Sequence, residues 1–303
     1  MSAGAKVLIG PSSFADKDKS PMELLRKSGY DIIDNPYKRK LTKSELLELL
    51  RPEVVGLIAG LETLDREVLS RSNLKCISRV GSGLSNVDLK AAEELKIAVR
   101  STPDAPTQAV AELTLGALLS LLRRIPEMNN DLHAGRWKKQ IGFQLEGKRC
   151  LVIGYGRIGK RIAKLFDAFG AQVRIYDPFF SGETSFSRTQ SLESALPDSD
   201  IITLHNSGEQ RLLGRREFGL MKDGVIVLNA ARGGTIDVTE LVEALKSGKV
   251  GGVWMDTFPE EPYEGPLAGY PNALLTPHVG SYTLECRRAM ETEAVTNLLS
   301  VIG

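Results

Sequence analysis

The sequence has few cysteines, no excess of either charge and no long apolar run. Its three cysteines, Cys76, Cys150 and Cys286, are an odd number at wide, unrelated spacings, which excludes a disulfide framework or a metal-ligand set and leaves small buried hydrophobes. Lys plus Arg (39) nearly equal Asp plus Glu (38) and are interspersed with them, so the basic face that a nucleic-acid surface needs is absent. No stretch approaches the roughly 20 apolar residues that cross a bilayer, and residues 1–6 lack the charged-then-apolar start of an export signal. A cytoplasmic protein without membrane or nucleic-acid partners is expected. Low-complexity segments and long linkers are also missing. What remains is 303 residues, 42% hydrophobic, with a formal charge of +1: two ordinary globular domains suited to small-molecule work.

Short β-rich runs alternate with helical patterns from the start. Strand candidates are Val7–Ile9, Tyr30–Ile33, Val54–Ala59, Lys75–Val80 and Lys96–Arg100, with helices over Met22–Lys27 and Lys43–Leu50. Apolar runs without period-two alternation suit strands covered on both faces, the rhythm of a parallel sheet with crossover helices. Beyond Pro103 and Pro106, Ala109–Leu122 reads as a helix bridging two domains, with Arg123 and Arg124 at its C-terminal end. A second alternation follows: Cys150–Ile153, Gln172–Tyr176, Asp200–Leu204, Val225–Leu228, Gly252–Met255 and Ala273–Leu275. The final helix, Leu284–Val301, has room to pack back onto the first unit, which periodicity alone leaves open. A tight, functional cleft is expected between the units.

The sharpest local signal is Gly154-Tyr155-Gly156-Arg157-Ile158-Gly159, directly after the strand Leu151–Ile153 and opening the helix Arg157–Phe169. Gly154 permits a tight turn, Gly156 lets backbone approach a pyrophosphate, and Gly159 lets helix and strand pack closely while the helix amides face the anion. The next strand ends at Asp177, about 20 residues on, where a carboxylate accepts the ribose hydroxyls of an adenosine and repels a ribose phosphate. NAD rather than NADP follows. A lone glycine triplet is often an ordinary strand-to-helix turn; the ordered set of strand, triplet, helix, strand and acid is what gives it weight.

Several separated motifs now resemble one family, the D-isomer-specific 2-hydroxyacid dehydrogenases, nearest the D-3-phosphoglycerate dehydrogenase branch. Arg79-Val80-Gly81-Ser82-Gly83 with Asn86-Val87-Asp88 is similar to the family's substrate loop, Ala111-Glu112-Leu113 to its bridging helix, and Tyr176-Asp177-Pro178 to the end of its second cofactor strand. Asn229-Ala230-Ala231-Arg232-Gly233-Gly234, Asp256-Thr257-Phe258 with Glu261-Pro262, and Thr276-Pro277-His278-Val279-Gly280 are similar to its three catalytic segments. The resemblance implies an α/β chain of two doubly wound parallel-sheet domains, with a Rossmann-type NAD domain (101–281) inserted into a discontinuous flavodoxin-like substrate domain (1–100 plus 282–303). It also implies a homodimer built through the NAD domain.

The catalytic set it implies is Arg232, Glu261 and His278. Reducing a 2-oxo acid puts negative charge on the carbonyl oxygen, so a proton donor must stand beside that oxygen and a cation must hold the acid. His278 is the expected acid, Glu261 orients its ring and raises its pKa, and the planar fork of Arg232 suits a carboxylate. Backbone amides around Ser82 and Gly83 would take the other carboxylate oxygen, with Arg79 beside them. By the same resemblance Ser82, Asn206, Ala230, Ala231, Asp256 and Ser281 line the cofactor, Asp256 near the nicotinamide amide. Each residue has a plainer reading: a turn arginine is usually a surface charge, and a glutamate in a Pro-rich loop is usually just solvated. Of the other histidines, His133 reads as helix surface and His205 as structural or cofactor-edge.

The sequence departs from the phosphoglycerate branch after the third strand, where Ile58-Ala59-Gly60-Leu61-Glu62 offers an acid in place of an arginine. A substrate phosphate facing Glu62 would be repelled. The stretch Asn206-Ser207-Gly208-Glu209-Gln210 is shorter than the family's loop and lacks its proline. A rival reading is an NAD-sensing interaction module without turnover, since the family also resembles corepressors that keep the nucleotide fold. Retention of the Arg, Glu and His together favours the enzyme.

Overall fold

Uninterrupted apolar runs become parallel strands buried on both faces in the computed structural model, which describes residues 4–303. The chain forms two units, one running to Pro106 and taking in Tyr282–Gly303, the other Thr107–Ser281.

The first unit alternates β1 (Lys6–Ile9), α1 (Ser20–Arg26), β2 (Asp31–Ile33), α2 (Lys43–Leu49), β3 (Val54–Ala59), α3 (Arg66–Ser70), β4 (Cys76–Arg79), α4 (Leu89–Glu94) and β5 (Ala98–Ser101). Its sheet has the order β2-β1-β3-β4-β5, parallel throughout, with the chain direction switching sides between β1 and β3. Short helices begin at polar caps: Thr42 forms a capping box with Glu45 on α2, Asp65 caps α3 and Asp88 caps α4.

The second unit begins with α5 (Pro106–Leu122) and α6 (Ile125–His133), where the sequence delimits only the first helix and marks the second by His133 alone. Arg124, in the left-handed region at φ 53°, makes the break between them. Then come β6 (Arg149–Ile153), α7 (Arg157–Ala168), β7 (Gln172–Tyr176), β8 (Ser187–Arg188), α8 (Leu192–Ala195), β9 (Ile201–Leu204), α9 (Arg215–Leu220), β10 (Val225–Asn229), α10 (Val238–Lys246), β11 (Val250–Met255) and β12 (Ala273–Leu275). The seven strands are ordered β12-β11-β10-β9-β6-β7-β8, all parallel, with the switch between β6 and β9. Two apolar clusters line the faces of this sheet, one around Leu204, Val227 and Met255, the other around Val152, Phe166 and Trp254.

The last helix, α11 (Leu284–Ile302), belongs to the first unit and packs on α1, β3, β4 and β5. Gly56 in β3 allows this, because a Cβ there would come 3.1 Å from Leu298 and Ile302 methyl carbons. Burial of Met290, Val295 and Leu298 contributes roughly 1.5–3 kcal/mol each, which makes the chain's end part of the first unit's core. Cys76, Cys150 and Cys286 are unpaired and buried, and burial pushes the thiols up, to about 11 at Cys76 and Cys286.

Candidate active site

Every candidate residue of the second unit follows a strand at the carboxyl edge of the sheet. Pro277-His278 follow β12, Asp256 and Glu261 follow β11, Ala230–Arg232 follow β10, His205 and Asn206 follow β9, the glycine turn follows β6, and Asp177 follows β7. Because those strands are consecutive neighbours, β11 and β7 stand four strand spacings apart, roughly 19 Å. The spread is that of an extended ligand crossing the switch point, not of one small group.

The glycine turn is shaped by what side chains would hit. Gly154 has φ +88°, and its Cβ would fall 2.6 Å from Asn206 N, so the ends of β6 and β9 can abut. A Cβ on Gly159 would lie 2.0 Å from the Gly154 carbonyl oxygen, which forces α7 against the turn. Gly156 meets nothing within 4 Å and precedes a helix with no side-chain cap. Open space thus lies before free helix amides, the arrangement that receives a pyrophosphate. Arg157 and Ile158 form the helix's first turn. Asp177 is half-buried; its Oδ2 accepts the Tyr155 N–H at 2.8 Å and its Oδ1 the Phe179 N–H at 2.9 Å, which fixes the carboxylate beside the turn. These features fit a dinucleotide.

At the other end of the edge, His278 Nδ1 lies 2.9 Å from Glu261 Oε2, and Glu261 Oε1 accepts the Phe258 N–H at 3.0 Å. Both side chains reach solvent. His278 sits in the left-handed region at φ 53°, a strain of about 1–3 kcal/mol for a non-glycine residue. Asp256 holds that turn. Its carboxylate is buried: Oδ1 accepts Thr276 Oγ1 at 2.6 Å and Val279 N at 2.9 Å, and Oδ2 accepts Gly280 N at 2.8 Å. Trp254 Nε1 donates to Thr276 Oγ1 at 3.0 Å, extending the bracket into the core. Of about four acceptor positions on a carboxylate, the turn fills three, so Asp256 has one left. The sequence reading missed this bracket; its only trace was a hydroxyl and a glycine flanking Pro277-His278-Val279.

Arg232 leaves β10 extended, its Nη1 donating to the Ala231 carbonyl at 2.8 Å, while its own carbonyl is held by Asn229 Nδ2 at 3.0 Å and Thr235 Oγ1 at 2.6 Å. Gly233 lets this turn press on the next: a Cβ there would sit 1.9 Å from the Phe258 carbonyl carbon. The peptide bearing Arg232 and the one that orients Glu261 are therefore in contact. Ala231 is buried, whereas Ala230 and Ser281 are partly open. Asn206 Nδ2 donates to Gly208 O at 2.8 Å, and its buried Oδ1 has no partner among the described residues, as a cofactor-facing acceptor would. His205 pairs its Nε2 with Thr203 Oγ1 at 2.8 Å, and burial of the ring holds its pKa down to about 3, a neutral structural imidazole. His133 ends α6, exposed.

Arg79, Ser82 and Gly83 belong to the first unit, at the end of β4 and in the loop after it. Ser82 is exposed, and Gly81 N donates to Thr102 Oγ1 at 2.7 Å. Glu62 differs from the sequence reading: it is buried, not turned outward toward a substrate.

This chain belongs to the D-isomer specific 2-hydroxyacid dehydrogenases: residues 115–280 match that family's NAD binding domain. It is 36% identical over 274 residues to hydroxypyruvate reductase of Thermotoga maritima, covering 87% of this chain and 89% of that protein. It is 38% identical over 273 residues to D-3-phosphoglycerate dehydrogenase of Methanocaldococcus jannaschii, covering 86% of this chain and 52% of the relative, so it spans about half the length of that protein. The TT0316 protein of Thermus thermophilus superposes with a TM-score of 0.90 at 35% identity, over 98% of this chain and 96% of that one.

Proposed function

We propose that this chain is an NAD-dependent oxidoreductase that moves a hydride between nicotinamide and C2 of a small D-2-hydroxy or 2-oxo acid, of the class that includes hydroxypyruvate, glyoxylate and 3-phosphoglycerate. The observation that carries the reading is the 2.9 Å His278–Glu261 pair on the same sheet edge as Arg232 and an open glycine turn. NAD, when bound, supplies the hydride donor or acceptor. In reduction, His278 gives the Nε2 proton to the C2 oxygen as charge develops there, and takes one back in oxidation. Glu261 accepts the Nδ1 proton's hydrogen bond, which fixes ring and tautomer. Arg232 holds the substrate carboxylate through its fork, and within the first unit Arg79 and the amides of Ser82 and Gly83 are assigned to substrate binding. The turn Gly154, Gly156, Arg157, Ile158 and Gly159 seats the pyrophosphate, Asp177 binds the ribose, and Asn206, Ala230, Ala231, Asp256 and Ser281 line the remainder.

A panel of 2-oxo acids offered with NADH tests the reading. NADH consumption is expected, lost in His278→Ala while NADH still binds. Tight NADH binding with no turnover across the panel would instead make the protein an NAD-sensing interaction module.

The proposal includes a homodimer through the second unit, in the cytoplasm, where three unpaired cysteines are at home. Helix α6 buries none of its residues, and the irregular segment after it carries Trp137 and Ile141, 82% and 92% exposed, with Phe143 also exposed. Apolar groups so placed need a partner surface. Light scattering after gel filtration should give twice the chain mass for the wild type and a smaller species for Trp137→Ala with Ile141→Ser.

A further inference from the structure

In the five-stranded sheet, the loops after β1 and β3 part at the switch of chain direction, the point at which open α/β sheets leave a crevice for ligands. Here the crevice is filled from within. Glu62 is 1% exposed, and its Oε2 accepts the Gly60 N–H at 2.6 Å. A Cβ on Gly10, just past β1, would lie 2.8 Å from Glu62 Oε1, and one on Gly60 would lie 3.1 Å away, so the carboxylate occupies the space these glycines leave. Asn86 Nδ2 donates to the carbonyls of Gly60 at 3.2 Å and Glu62 at 2.6 Å, tying this loop to the one that carries Ser82 and Gly83.

Two cations share the edge. The Arg79 guanidinium lies over Gly81, whose Cβ would be 1.5 Å from Nη1, and donates to the Val80 carbonyl at 2.5 Å. Lys40 comes from the loop before α2, which Asn35 pins by donating to the carbonyls of Gly10 at 2.6 Å and Arg39 at 2.8 Å. Burial pushes the Glu62 carboxyl up; the amides of its own turn draw it back, and so do the charges of Arg79 and Lys40. The geometry agrees: Ala59, at the end of β3, pairs with Arg79 in β4, and Asn35 joins Gly10 to the residue before Lys40, so the Glu62 niche lies next to both segments that carry the cations.

We infer that Glu62 sets the substrate class, by offsetting the charge of Arg79 and Lys40 at the edge that presents Ser82 and Gly83, so that the enzyme takes 2-oxo acids whose only anion is the carboxylate and rejects phosphorylated ones. The inference rests on the dehydrogenase reading above. A phosphate dianion is held by a net positive set of donors. A buried counter-charge weakens such a set without touching the ligand, because a buried charge is little screened by salt.

Glu62→Gln isolates the charge, since the amide oxygen can still accept from Gly60 N. NADH-dependent rates are measured with hydroxypyruvate and with phosphohydroxypyruvate. The wild type is expected to prefer the former, and the variant to gain at least about tenfold in kcat/KM for the phosphorylated acid, mostly through KM, with hydroxypyruvate changed less than about threefold. Lys40→Met, at an exposed position, reads the same field with opposite sign and should weaken phosphohydroxypyruvate further, which keeps the test available if Glu62→Gln folds poorly. Calorimetric titration of phosphohydroxypyruvate into each protein with NAD+ present, where no hydride can move, gives affinities independent of turnover. A wild type that prefers the phosphorylated acid, or equal phosphohydroxypyruvate affinity in all three proteins, overturns the role of Glu62. Failure of every 2-oxo acid to consume NADH overturns the dehydrogenase reading instead.

Discussion

Glu261 is held at both oxygens, by the His278 ring at 2.9 Å and by the Phe258 amide at 3.0 Å, so the imidazole is oriented by a carboxylate that is itself anchored to the backbone. An accepting carboxylate makes Nδ1 the donor and leaves Nε2 to exchange a proton with substrate. His278→Ala is expected to lower kcat by about 10²- to 10⁴-fold, the usual share of a positioned acid–base group, with the NADH dissociation constant within about twofold of the wild type. Glu261→Gln should fall between the two. Stopped-flow reduction beside NADH fluorescence titration measures both; a His278→Ala protein at full rate sinks the assignment.

Asp256 keeps His278 in its strained backbone conformation through Thr276, Val279 and Gly280. Asp256→Asn would set an amide N–H against a backbone N–H, removing at least one charge-assisted bond, for a loss of about 1.5–3 kcal/mol. Urea unfolding should show that loss, and kcat should drop more than the NADH affinity does. Unchanged kcat in a destabilised protein would mean that the bracket serves the fold alone.

Two glycines in one turn should behave oppositely. Gly156→Ala adds a methyl to open space and should fold with wild-type stability, yet weaken NADH, since the methyl enters the space proposed for the pyrophosphate. Gly159→Ala drives a Cβ to within 2.0 Å of a carbonyl oxygen and should cost stability first, on the order of 1–3 kcal/mol or more. Thermal melts and NADH titrations of both variants distinguish the cases; identical melts would show that the helix is free to shift.

His205 ties stability to acidity. Its folded pKa is depressed from 6.5 to about 3 by burial, so between those values the unfolded chain binds a proton that the folded chain refuses. The contribution is fully present above pH 6.5 and is lost as pH falls toward 3, at up to about 1.4 kcal/mol per pH unit. Denaturation midpoints from about pH 7 to about pH 4 should slope less in His205→Gln than in the wild type. Parallel slopes would assign the acid sensitivity to carboxylates such as Asp200, whose pKa is lowered on balance by the Lys222 hydrogen bond despite some burial.

The glycine turn and Asp177 were legible because their geometry is local: strand, turn, helix and strand follow one another along the chain, and the Gly159 clash lies only five residues back, at Gly154. Periodicity leaves the return of α11 open and only the family resemblance implies it, since its cause is the missing side chain of Gly56 beneath Leu298, a contact between distant parts of the sequence. Helix α6 showed only in the reading of His133 as helix surface, and its extent did not: it buries nothing, so it carries no apolar stripe pointing at a core. Distance along the chain also hid the Asp256 bracket, which links the end of β11 to the turn after β12 through a buried side chain. Glu62 was read as an outward-facing acid because loop carboxylates usually are; nothing in the string of letters announces that Gly10 and Gly60 make a niche for it.

The two tryptophans happen to mark the regions in question. Trp254 is fully enclosed, and its indole N–H is joined to Thr276, beside the histidine turn, whereas Trp137 stands almost bare on the segment after α6. The native protein therefore carries two optical reporters with separable emission, one blue and one red. A shift of the Trp137 emission to shorter wavelength would follow its burial in the proposed dimer, and a shift in the Trp254 emission would follow movement of the turn, without any label.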